Sequence, residues 1–174
     1  MITPEFKEKI ERGFGGAVIL AGSGSDEAHI DKLAKHLKEY EIPFEVRVAS
    51  AHKQCNKLRK ILEEYDALEG PLVYLAVAGG TDALSGTLSF TSLRPTITCP
   101  PDHLNMSGLT NPPGSSNAYI ARPENAARFI AQMFSSNNSG YKNKLTDEME
   151  KKRQGLELDD ESLRTKYAED KRTN

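Results

Sequence analysis

The chain has 174 residues, 28% of them charged, and a formal net charge of −2. That balance excludes the strongly basic surface expected of a nucleic-acid or anionic-membrane binder, and the length fits one domain with a core of ordinary size. Cys55 and Cys99 stand far apart without metal-ligand spacing, and read as reduced thiols rather than a disulfide.

Short apolar runs alternate with amphipathic stretches. Ala17-Val18-Ile19-Leu20-Ala21 reads as a buried strand. It is too short for a signal-peptide core or a membrane span, so a cytoplasmic location is expected. Residues 27–40 have helical spacing and would bury Ile30, Leu33, Ala34 and Leu37. A strand follows at 44–48, and a helix at 55–65 with Leu58, Ile61, Leu62 and Tyr65 on one face. The continuous apolar run 72–77 predicts a strand covered on both sides. A Gly-rich loop spans 78–86, with a short helix starting near Leu84. Further strands are expected at 95–98 and 117–120. A helix then opens with Pro123 at its first position and would bury Ala126, Ala127, Phe129, Ile130 and Met133.

This alternation predicts an α/β fold: a three-layer, flavodoxin-like parallel sheet with helices on both faces. Composition changes after Phe134, which suggests a domain over 1–136 and a charged helical extension over 137–174. Residues 135–140 read as a linker. The sparse apolar residues beyond it, Leu145, Met149, Leu163 and Tyr167, suggest packing on another subunit, with fraying as the alternative.

Three junctions from strand to helix carry small polar residues, and a parallel sheet opens all three on one edge. Gly22-Ser23-Gly24-Ser25-Asp26 offers close backbone approach, hydroxyl donors and a helix N-terminus suited to an anion. Asp26 would bind a ribose hydroxyl or cap the helix, and a plain capping turn would use the same residues. Glu27 occupies the third glycine position of a dinucleotide fingerprint, and no Gly-Lys-Ser/Thr follows to make a P-loop. Ser50-Ala51-His52-Lys53 sets a proton-transfer group beside a cation. Ala78-Gly79-Gly80-Thr81-Asp82-Ala83-Leu84-Ser85-Gly86 again offers backbone and hydroxyl contacts, although a tight turn fits locally. Convergence of the three favours a phosphorylated small molecule, with proton transfer by His52. His29 and His36, seven apart on one helix, read as a boundary face rather than metal ligands. Cys99 reads as a buried thiol, and His103 as a structural or subunit-contact residue.

In this order the loops resemble the phosphoribosylaminoimidazole (AIR) carboxylase family of purine biosynthesis. The resemblance runs from about residue 16 to 136 and includes Asn125-Ala126-Ala127. It implies that the first two loops bind a ribonucleotide and that His52 is the general acid/base. Ser23 and Lys53 would hold the phosphate with the helix N-terminus, and Asp26 the ribose. Ser25, Ser50, Gly79, Thr81 and Leu84 complete the expected contacts. Neither metal nor organic cofactor is implied, and a homo-octamer is expected, with C-terminal helices reaching between subunits.

One branch of the family is a mutase of a carboxyamino ribonucleotide, usually with Ser-Ala-His-Arg and a second histidine before Leu-Pro-Gly. The other, class II, carboxylates AIR with carbon dioxide and usually shows Ser-Ala-His-Lys and Ala-Leu-Ser-Gly. Lys53 and Ala83-Leu84-Ser85-Gly86 resemble class II, as does Cys99-Pro100-Pro101. Gly80, Asp82, Thr110 and Asn111 depart from the usual pattern, on what would be the base and carbon dioxide side. The mutase, or a non-catalytic phosphoribonucleotide-binding module, is the alternative reading.

Overall fold

β1 (Gly16–Ala21) is buried at every position and forms the spine of the molecule. It lies between β2 (Phe44–Val48) and β3 (Leu72–Val77); β4 (Thr96–Thr98) and β5 (Ala118–Tyr119) complete a parallel sheet of order β2-β1-β3-β4-β5. In this computed structural model, residues 1–102 and 104–170 are described; His103 lies outside the described residues. The order is that of a flavodoxin-like fold, with its topological switch point between β1 and β3.

Strand alternation divides the interior in two. Ala17, Ile19 and Ala21 point with Val73, Leu75 and Val77 into one apolar layer, covered by α2 (Glu27–Glu39), α5 (Pro123–Phe134) and the start of α6 (Ser139–Asp170). Val18, Leu20, Tyr74 and Ala76 point the other way, under α1 (Pro4–Glu11), α3 (Cys55–Asp66) and α4 (Leu84–Thr91). β3 is buried at all six positions, as its unbroken apolar run requires.

Local chemistry sets the helix ends. α1, which lay outside the expected elements, is capped by the Thr3 hydroxyl, carries Pro4 and Glu5 in its first turn, and buries Phe6 and Ile10. Gly70, at φ +131, sits so close to the Ile10 carbonyl that a Cβ there would collide with it. α5 buries Ala126, Ala127, Ile130, Ala131 and Phe134. Its inward face is therefore rotated from the expected one: Phe129 is 37% exposed and Met133 only half-buried. These two flank the short β4 and β5 edge, which offers too little sheet to cover them. Ala34 is likewise half-buried, and the strands at 95–98 and 117–120 shorten to their hydrogen-bonded centres.

The expected linker is cut short by Asn138, whose Oδ1 accepts from Gly140 N at 2.9 Å and caps α6, while its Nδ2 donates to Phe14 O at 3.1 Å. Tyr141 and Leu145 then enter the core of their own domain rather than a second subunit, and Tyr141 Oη donates to Gly15 O at 2.9 Å. Arg128 and Glu148 pair at 3.4 Å farther along. Leu145→Ala should lower unfolding free energy by about 2–3 kcal/mol through the cavity it leaves. Urea denaturation measures this, and an unchanged midpoint would mean that α6 does not dock through Leu145.

Candidate active site

Hydrogen-bond register sets the site. Ala21 is opposite both Val48 and Val77, so β1, β2 and β3 end level with one another. Ala49 N still donates to Ala21 O at 3.0 Å, and Gly22 N to Val77 O at 2.9 Å, so the three loops leave the sheet together. Between them lies a cavity of about 290 Å³ at the carboxyl edge. Its walls are Gly22, Ser23, Ser25 and Asp26 from the first loop, Ser50, Ala51 and His52 from the second, and Ala78, Gly79, Thr81, Ala83 and Leu84 from the third.

Eight of the nine residues singled out from sequence thus line one cavity: Ser23, Ser25, Asp26, Ser50, His52, Gly79, Thr81 and Leu84. Lys53 does not line it. Its side chain is exposed, and its backbone N–H donates to Ser50 Oγ at 3.3 Å, which closes the turn carrying His52. Ser23 caps the first turn, its Oγ accepting from Ser25 N at 3.2 Å and Ser25 Oγ at 2.9 Å. The lining holds hydroxyls and backbone amides but no lysine or arginine, and α2 begins directly behind Asp26. An anion there is met by N–H groups, hydroxyls and the helix dipole. The His52 ring is exposed and makes no hydrogen bond to the described residues. It is free to turn toward a bound molecule.

The third loop is held from behind. Asp102 Oδ2 accepts from Gly80 N at 2.8 Å, and Ser107 Oγ accepts from Asp82 N at 2.8 Å. Asn105 Nδ2 reaches Asp102 Oδ1 at 3.2 Å and Ala78 O at 3.4 Å. Gly80, with φ +64, takes a left-handed turn that leaves its amide facing Asp102. Asp82 is buried and caps α4, its Oδ1 accepting from Ser85 N at 2.9 Å. Asn111 bridges Ser85 Oγ at 3.1 Å and Asn117 Oδ1 at 2.7 Å. Gly86 is needed beneath it, because a Cβ would lie 2.7 Å from Asn111 Oδ1.

Two corrections follow. Gly80, Asp82, Thr110 and Asn111 do not line the cavity; they form or abut the supporting network. Asp102, Asn105 and Ser107, which were not singled out from sequence, hold the loop in place. Their signal was a polar cluster immediately after a strand ending on the same sheet edge.

The family model for AIR carboxylase matches residues 17–155. The chain belongs to the AIR carboxylase family. A phosphoribosylaminoimidazole carboxylase of Treponema denticola is 35% identical over 153 residues, covering 84% of this chain and 96% of that protein. Another, from Archaeoglobus fulgidus, is 32% identical over 170 residues, covering 94% and 93%. The crystal structure of Treponema denticola PurE superposes with a TM-score of 0.79 at 35% identity, covering 84% of this chain and 97% of that one. The chain is thus similar to enzymes of purine biosynthesis in sequence and in fold.

In this AIR carboxylase family chain His29 and Cys99 join α2 to the loop after β4. His29 Nε2 lies 3.1 Å from Cys99 O and 3.5 Å from its Sγ. Burial pushes the Cys99 thiol up to about 12, too high for a nucleophile at neutral pH. Burial opposes ionisation of Asp102 too, but hydrogen bonds from backbone N–H groups, Gly80 first, and from Asn105 hold its carboxyl below the ordinary value. Among the described residues no cluster of His, Cys, Asp or Glu is placed to hold a metal ion, and no helix is long and apolar enough to cross a membrane.

His29 titrates below its ordinary 6.5, chiefly because burial disfavours the imidazolium. In the window just below 6.5 the unfolded chain therefore binds more protons, and stability must fall as pH drops through it. Denaturant midpoints measured from pH 7.5 to 5 should show this loss in the wild type and a smaller one in His29→Gln. Equal slopes would remove His29 as the cause.

Proposed function

We propose that this protein carboxylates 5-aminoimidazole ribonucleotide with carbon dioxide, reversibly, in de novo purine biosynthesis, with His52 as general acid/base. The observation that carries the carboxylase reading is Ala83. It lines the cavity at the position where the mutase branch usually keeps a second histidine, leaving His52 as the one imidazole among the lining residues. With Ala51, Ala78 and Leu84 it gives the cavity an apolar part suited to an uncharged, linear molecule.

In this reading the ribonucleotide phosphate lies against Ser23, Ser25 and the start of α2. Lys53 reaches toward it on a flexible stem from outside the lining, and Asp26 accepts from a ribose hydroxyl. Ser50, Gly79 and Thr81 offer further polar contacts along the substrate. The electron-rich ring carbon of AIR attacks the carbon of carbon dioxide; a C–C bond forms and the electron pair of one C=O bond moves to oxygen as carboxylate. His52 accepts the ring proton, which restores aromaticity. In reverse it protonates the same carbon, and carbon dioxide departs. AIR is already a competent nucleophile, so positioning and proton transfer supply the catalysis without metal or organic cofactor. A homo-octamer belongs to the same reading.

His52→Asn should reduce CAIR decarboxylation and bicarbonate-supported AIR carboxylation by about 10²–10⁴-fold, while AIR still binds. Activity with the carboxyamino isomer alone would instead establish the mutase, and binding without turnover by the wild type would establish a non-catalytic module. Lys53→Ala should raise KM for the ribonucleotide with little change in kcat, as expected for a contact made equally in ground and transition states. An unchanged KM would remove Lys53 from phosphate binding.

A further inference from the structure

Two carboxylates stand about the cavity, and its lining offers no lysine or arginine to offset them. Asp26 belongs to the first wall. Asp102 does not line the cavity, but Gly79 brings it close. Gly79 lines the cavity without a side chain, and a Cβ placed on it would lie 3.4 Å from Asp102 Oδ1 and 3.5 Å from Oδ2. The hydrogen-bond partners of Asp102 are neutral: Gly80 N donates to Oδ2 at 2.8 Å and Asn105 Nδ2 to Oδ1 at 3.2 Å. Burial opposes its ionisation, but these donors outweigh that cost, so the carboxyl carries its charge at neutral pH. His29, the imidazole whose field reaches it, is kept neutral there by its own burial. Asp82, the carboxylate within the third loop, is directed instead to Ser85 N and toward Gly108.

CAIR differs from AIR by one carboxylate. In the proposed reaction that group forms where carbon dioxide lay, against Ala78, Ala83 and Leu84 of the third loop. We propose that Asp102 is a specificity-determining residue that weakens binding of CAIR relative to AIR, by setting a fixed negative charge behind the wall at which the product carboxylate forms. The inference rests on the carboxylase reading of the cavity. Like charges on the two sides of Gly79 repel, and the Gly80 N–H, committed to Asp102, is not offered to the new carboxylate in compensation. The phosphate is common to both ligands, so its interactions do not separate them. Repulsion of the product leaves the overall equilibrium in solution unchanged. It shifts the bound pair toward AIR and speeds release of CAIR. Asp102 is solvent-exposed, so screening limits the effect to about three- to tenfold in affinity.

Titration calorimetry of the full chain with AIR and with CAIR tests this, in a His52→Asn parent so that CAIR is not consumed. Asp102→Asn removes the charge and keeps an acceptor for Gly80 N. It should lower Kd for CAIR about fivefold and leave Kd for AIR unchanged. The ratio of Kd for CAIR to Kd for AIR should fall with added sodium chloride in the parent and stay flat in Asp102→Asn, a dependence that a purely structural role would not produce. Asp102→Glu, which keeps the charge, should keep the parent ratio. Unchanged CAIR affinity in Asp102→Asn, or equal changes for the two ligands, would overturn the inference while leaving the carboxylase reading intact. Failure of the parent to bind AIR at all would overturn the ribonucleotide reading itself, and this inference with it.

Discussion

Backbone hydrogen bonding places Ala21 between Val48 and Val77, and three parallel strands therefore run out of the sheet at the same level. Everything functional in the molecule depends on that register. A slip by one residue would turn each strand's side chains to the opposite layer. It would also carry His52 out of line with Ser23 and Thr81. The register is fixed because both faces of β1 and β3 are buried in separate apolar layers, so no slipped pairing keeps both covered.

The cavity combines walls of different stiffness. The first loop is tied by the Ser23 cap and the second by the Ser50 turn, both within a few residues of sequence. The third depends on a distant segment: Asp102, Asn105 and Ser107 hold Ala78, Gly80 and Asp82 across more than twenty residues of chain. Asp82 is drawn into this support, its Oδ1 accepting from Ser85 N in the first turn of α4, and it does not line the cavity. Its Oδ2 remains buried without a hydrogen-bond partner, a local cost that the cap and the Ser107 contact offset.

Features that arise from short-range chemistry were readable in the sequence. β2 and β3 have the boundaries their periodicity predicts, and α5 opens at Pro123 as the first-turn rule requires. Eight of the nine expected site residues meet because strand ends and loops are adjacent in chain and space. What was not readable came from tertiary context. The rotation of α5 away from Phe129 depends on how little of β4 and β5 is paired. The support by Asp102 and Asn105 depends on a crossover that no local pattern encodes. Asn138 looked like linker composition, yet it caps the helix that brings Tyr141 and Leu145 home. Thr3-Pro4-Glu5, by contrast, was a readable helix start.

Membership of the AIR carboxylase family fixes the setting, and the carboxylase reading proposed for this chain rests on a cavity whose lining holds one imidazole, His52, with Ala83 beside it. Carbon-13 exchange tests that reading most directly. CAIR incubated with the enzyme and labelled bicarbonate should gain label in its carboxylate at a rate matching decarboxylation, because carbon dioxide leaves and returns through the same cavity. Retention of the unlabelled carboxylate while the enzyme interconverts CAIR and its carboxyamino isomer would contradict the carboxylase reading.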